Sequence, residues 1–386
     1  MAGSFQTGPE VAGDGAAEIA VLMAASDPGQ QPQLAVTPEV VVPERLFHLA
    51  RYNKMLGWLP LAPQALPAGC QGLSADLLQA NLKTVALNRL AMAVSTEVSG
   101  TLAGHGLAHV VMKGPFQQMV VHDQPFKRPS GDIDLFVRPR DRAQAAKVLK
   151  QMGFVPMEPD RALWWISFLG EEHFLRPSDN AVIDLHHSLQ QVGLPDWRHA
   201  SEVLDRVISL SHQGTQVPVP APEDGCLLLT ITIAKALLAR EPCGWAVADL
   251  ARWLDRLTAP EWQRLVQIAS RSGQRQTLRL GLTLVSAFYG PPQPTDDDAA
   301  AAMQAVLEGP VSKARHMPGL SHRQIDLQNM VFQPWHNPSL APRRRDMLRM
   351  LSLGRPHVLA GQGLRAALSP LVLAWLRRGE GKSDQA

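Results

Sequence analysis

No two cysteines lie near each other in this chain. Cys70, Cys226 and Cys243 are odd in number and match neither a zinc spacing nor a Cys-x-x-Cys pair. That argues against a disulfide framework or a structural zinc and fits a reducing, cytoplasmic setting. All three read as packing residues. A dominant charge is also missing: 37 Lys and Arg stand against 35 Asp and Glu, a formal net charge of +2. No global field therefore marks a nucleic-acid binder. Long apolar runs are absent too. AAEIAVLMAA (Ala16–Ala25) is interrupted by Glu18 and preceded by Glu10 and Asp14 rather than by a basic segment, so no signal peptide is expected. LSPLVLAWL (Leu368–Leu376), followed by Arg377 and Arg378, falls well short of the roughly 20 apolar residues a membrane span requires. The expectation is a soluble chain with no transmembrane span.

What is present is enough chain for two or three cores: 386 residues, 45% apolar and 19% charged. Residues 1–40 are rich in Gly, Ala, Pro and Gln with little periodic pattern, which predicts a flexible N-terminal arm. ERLFHLARYNKMLGWL and the long stretch from Ser74 to Gly106 then carry apolar residues at helical spacing. Ser74 is the expected N-cap, and Gly104 or Gly106 the stop. AHVVMKG reads as a strand, PFQQMVVH as a helix, DIDLFVRP as a second strand, and the segment from Pro139 to Gly153 as a second helix. EEHFLRP, the turn residues SDN and AVIDLHHSL predict a hairpin. From Ala221 onward the patterns are mostly helical, ending in an Arg-rich segment (Ala341–Arg365) that suits either a basic binding face or a solvated helix.

Chemistry concentrates in a few places. In the run KRPSGDIDLFV (Lys127–Val137), residues two apart share a face of a strand, so Asp132 and Asp134 project together while Ile133, Leu135 and Val137 project to the other side. Two adjacent carboxylates repel unless a cation neutralises them, and paired hard oxygens suit Mg²⁺ or Mn²⁺. A bare Asp-x-Asp also fits a solvated edge strand. The predicted hairpin offers Asp184 as a third carboxylate. With its turn centred on Ser178 and Asp179, His173 falls opposite Asp184 and Glu171 opposite His186. His173 and His186 are assigned support roles, although each also fits an ordinary hydrogen-bonded imidazole. Upstream, Lys113-Gly114 ends a strand directly before a helix, an arrangement that can seat a phosphate on free N–H groups or be a plain turn. Arg128 is placed either to clamp a triphosphate or to pair with Asp132.

These features together resemble the bacterial "uncharacterised nucleotidyltransferase" family within the DNA polymerase beta-like nucleotidyltransferase superfamily. The residues that carry the resemblance are MKG (Met112–Gly114), Arg128, SGDIDLFV (Ser130–Val137, including Gly131), MGF (Met152–Phe154) and IDLHH (Ile183–His187). It implies an α+β fold, a small mixed sheet backed by helices. It divides the chain into an arm (1–40), a helical N-terminal segment (41–107), a nucleotidyltransferase core (108–215) and a mostly helical C-terminal region (216–386). Asp132, Asp134 and Asp184 are then the implied catalytic and metal-binding residues, with Mg²⁺ or Mn²⁺ as cofactor. Lys113, Gly114, Arg128, Gly131, His173 and His186 are implied around a nucleoside triphosphate, most simply ATP. The chain departs from the wider superfamily in placing Gly114 well upstream of Asp132, with a Lys before it.

The reaction this implies moves a nucleoside monophosphate, AMP in the simplest case, to a hydroxyl or phosphate of a small molecule, peptide or protein. The alternative from a different class is a non-catalytic nucleotide-sensing or partner-binding protein, with antitoxin-like and peptide natural-product tailoring roles as variants. The displaced Gly114 motivates that alternative.

Overall fold

The structure is a computed structural model that describes residues 15–29, 41–157, 170–189, 197–239, 241–290, 297–308 and 331–332. The Arg-rich segment and the Leu368–Leu376 run lie outside the described residues. Helix α1 (Ala16–Ser26) is followed by α2 (Pro43–Tyr52), the 31-residue α3 (Ser74–Gly104), β1 (His109–Met112), α4 (Gly114–His122), β2 (Ile133–Val137) and α5 (Arg142–Gln151). Strands β3 (Val155–Pro156), β4 (Glu171–Arg176), β5 (Ala181–His186), β6 (Val207–His212) and β7 (Thr215–Pro220) come next. Helices α6 (Pro222–Ala239), α7 (Gly244–Leu254), α8 (Ala259–Arg271), α9 (Arg275–Tyr289) and α10 (Asp297–Glu308) follow them. Among the described residues no helix is long and apolar enough to cross a membrane.

Five strands form one mixed sheet in the order β1-β2-β5-β4-β3, with β2 and β5 parallel and the other pairs antiparallel. The fold is the expected α+β class. Its two faces enter two different cores, as the alternation in β2 requires. Ile133, Leu135 and Val137 pack with Val94, Val98 and Leu102 of α3 and with Ala145, Val148 and Leu149 of α5. Phe136, which points the other way, joins Val110 and Met112 in the larger core built with the C-terminal helices. Asp134 shares that second face, so its carboxylate is turned toward the helical region.

Three findings depart from the reading of the sequence. The loose arm does not extend over Ala16–Ser26, a helix whose Ile19, Val21 and Leu22 are buried and whose buried Glu18 pairs with Arg45 Nε of α2 at 2.9 Å. A helix covered on most sides carries no periodic stripe, so it looked featureless. Ser74 does not cap α3; its hydroxyl donates to the Leu61 carbonyl at 2.6 Å. Between Val207 and Pro220 an antiparallel hairpin forms that the sequence reading did not single out, with Val217 and Val219 in the core beneath the sheet. Its second strand runs past the boundary drawn at 215. Pro218 and Pro220 hid it, because Pro demotes a run to an edge strand, which is what a two-stranded sheet is made of.

Candidate active site

Parallel pairing of β2 with β5 sets Asp134 beside Asp184, and antiparallel pairing of β5 with β4 sets His173 beside Asp184 and Glu171 beside His186. One row of the sheet thus reads Met112, Asp134, Asp184, His173. The hairpin register expected from the turn is the register found.

Asp134 is the buried centre of the group. Its Oδ1 accepts from Lys113 Nζ at 2.7 Å and lies 2.8 Å from His186 Nε2. Burial by itself would raise its carboxyl, but Lys113 and His186 more than offset this and hold it far below the usual carboxylate range. His186 turns its other nitrogen, Nδ1, to Glu171 Oε2 at 3.2 Å. Asp184 is half-buried and differs: burial raises it, His173 opposes, and Asp134 and Asp132 raise it again, to about 6. His173 Nε2 lies 3.9 Å from Asp184 Oδ1 and 3.8 Å from Glu171 Oε1.

Lys113 reaches Asp134 through an unusual turn. It has φ 54° and ψ −152°, and Gly114 follows with φ 65°. Two successive positive φ values bend the chain from β1 into α4. The second is free of cost only for glycine, and the first is a strained conformation for lysine. A methyl group placed on Gly131 would meet nothing within 4 Å, and one on Gly114 only the Ser130 hydroxyl at 4.0 Å. Open space therefore lies over this turn. On another side a shallow, water-sized pocket is lined by Met112, Lys113, Glu171 and His186, by Ser188 and Leu189, and by Leu228, Ile231, Thr232 and Lys235 of α6.

Asp132 does not stand in the strand, and Arg128 pairs with Asp249 rather than with Asp132. Strand β2 starts at Ile133, so Asp132 precedes the ladder and is exposed. Arg128 is only 3% exposed and does not pair with Asp132. Its Nε donates to Asp249 Oδ2 at 3.0 Å, its guanidinium lies 4.0 Å from the Trp245 ring centre, and His122 Nε2 lies 2.7 Å from Asp249 Oδ1. The loop before β2 is fixed as well. The Arg128 carbonyl accepts from Asn88 Nδ2 at 2.9 Å and Gln118 Nε2 at 3.0 Å, and the Ser130 amide donates to Asn88 Oδ1 at 2.9 Å.

Among the described residues, the donors that converge are Asp134, Asp184 and His186, whose ligand atoms all lie within 4.8 Å of one another. Two carboxylate oxygens and one imidazole nitrogen form a donor set that suits Mn²⁺ better than Mg²⁺, which takes oxygen ligands. His186, given only a support role in the sequence, joins this donor set. The signal was legible, since His186 lies two residues beyond Asp184 on the same strand face. Asp249, by contrast, carried no local signal.

No curated protein matches the chain. A crystal structure of an antigenic nucleotidyltransferase-like protein from Paracoccidioides brasiliensis aligns with 57% of this chain and 92% of its own at 17% identity, with a TM-score of 0.33. A likeness that distant says nothing of site or substrate. The family model described as "Uncharacterised nucleotidyltransferase" matches residues 41–290. That stretch is well over half of the chain, and it contains the whole mixed sheet and every residue that meets at Asp134. The chain therefore belongs to the uncharacterised nucleotidyltransferase family.

Proposed function

We propose that the protein is a metal-dependent nucleotidyltransferase that moves a nucleoside monophosphate, AMP from ATP in the simplest case, to a hydroxyl or phosphate of a small molecule, peptide or protein. The observation that carries this reading is the convergence of Asp134, Asp184 and His186 within 4.8 Å. A divalent cation held there supplies Lewis acidity to the attacking oxygen and offsets charge gathering on phosphorus. Asp134 is its permanently ionised ligand. His186 is oriented for that role by Glu171 at 3.2 Å. The exposed Asp132 is left as a further anion at the mouth of the site.

In the proposed reaction an acceptor oxygen bonds to the α-phosphorus, and the bond from that phosphorus to the bridging oxygen breaks. Pyrophosphate departs with the electron pair. The acceptor proton goes to Asp184, the carboxylate that pairs beside Asp134 in the sheet row. Gly114 and Gly131 leave room for the phosphates.

One observation favours a second reading, non-catalytic nucleotide sensing: Lys113 already supplies a cation to Asp134 at 2.7 Å. A single experiment separates the two. Incubation of the protein with Mg²⁺, cell extract and ATP labelled at either the α- or the γ-phosphate is expected to transfer only the α-label and to release pyrophosphate. ATP that binds without either event would support sensing and remove the transferase reading.

A further inference from the structure

Lys113 brings a cation into the middle of the proposed metal ligands. Its Nζ donates to Asp134 Oδ1 at 2.7 Å, and His186 Nε2 lies 2.8 Å from the same oxygen. The backbone is bent to put it there. Lys113 follows Met112, the residue of β1 that pairs with Asp134, and its φ of 54° and ψ of −152° border a region otherwise left to glycine. Glycine would adopt this turn without strain. The lysine side chain is therefore held beside Asp134 against a backbone cost.

The two partners differ in exposure. The Asp134 side chain is 9% exposed and that of Lys113 26%. The carboxylate is enclosed, whereas the ammonium ends a flexible four-carbon stem with water in reach. Asp134 also belongs to the donors that lie within 4.8 Å of one another. A divalent ion held by its carboxylate stands close to the Lys113 ammonium, and like charges repel strongly in so enclosed a place. The ammonium and the metal ion compete for one carboxylate.

We propose that Lys113 is the resident counter-cation of the metal site: its ammonium neutralises Asp134 until a divalent ion takes that place, and metal uptake requires the ammonium to swing away toward water. Lys113 thereby sets how tightly the site takes metal. This rests on the metal-dependent nucleotidyltransferase reading above for the identity of the ligands. The strained turn then has a reason, since a glycine there would leave the buried carboxylate without its cation whenever no metal is bound.

Titration of Mn²⁺ into the full chain without nucleotide, followed by the paramagnetic signal of free Mn²⁺, tests this. Lys113→Met keeps the apolar stem and removes the charge, and it should take up Mn²⁺ about tenfold more tightly than the parent. Lys113→Gln should tighten uptake likewise, whereas Lys113→Arg, which keeps the charge, should stay within about threefold of the parent. A gain in affinity cannot come from a damaged fold. A purely structural ion pair predicts the other sign, because losing Lys113 then loosens the site. Uptake by Lys113→Met and Lys113→Gln no tighter than that of the parent would overturn the proposal and leave the transferase reading standing. No uptake of Mn²⁺ by the parent or any variant, with or without a non-hydrolysable ATP analogue, would overturn both.

Discussion

Asp134→Asn is expected to lower α-phosphate transfer from ATP about 10³-fold or more while leaving the protein folded. Asparagine keeps the shape of the side chain and can still accept one hydrogen bond, but it carries no charge for a cation. Asp134 is the ligand with the strongest claim to permanent ionisation, because Lys113 and His186 hold it down against burial. Removing it should also release Lys113, whose side chain is 26% exposed and can turn to water. The fold should therefore lose no more than about 2 kcal/mol. Transfer of α-label and the urea unfolding midpoint, taken on the same preparation, check both halves. An Asp134→Asn protein that retains a tenth of the parental rate would take this carboxylate out of the chemistry.

The second large effect is on stability. Asp249→Ala is expected to cost about 3–5 kcal/mol, among the largest losses available from one substitution in this chain. The Asp249 carboxylate is fully buried and engages Arg128 Nε and His122 Nε2, one on each oxygen. Alanine leaves the Arg128 guanidinium buried beside Trp245 with no counter-charge. The damage should spread along the sequence, because Arg128 lies in the loop that Asn88 and Gln118 tie down just before Asp132 and Asp134. A loss below about 1 kcal/mol by denaturant melt would mean that the Arg128 loop is held by its backbone bonds alone. In that case the helical region would not be what sets the entry to β2.

The sheet and much of the site could be read along the chain because their spacing is short and regular. Alternation in Ile133–Val137 placed Ile133, Leu135 and Val137 in one core and Asp134 on the opposite face, and a brief turn fixed His173 opposite Asp184. What resisted reading depends on distant pairs. Arg128 and Asp249 are 121 residues apart, and no local pattern says that one will neutralise the other. Asp132 falls outside the ladder because β2 begins one residue after it. Helix α1 was obscured by being buried on most sides, and the β6–β7 hairpin by its prolines.

The central claim is that Asp134, Asp184 and His186 hold a divalent cation beside a nucleotide. Titration of Mn²⁺ into the protein with a non-hydrolysable ATP analogue, followed by the paramagnetic signal of free Mn²⁺, tests it most directly. The account predicts saturable Mn²⁺ uptake by the parent protein and its loss in Asp134→Asn, with Asp184→Asn also weakened. Equal uptake by the parent and Asp134→Asn, or none by the parent, would contradict it.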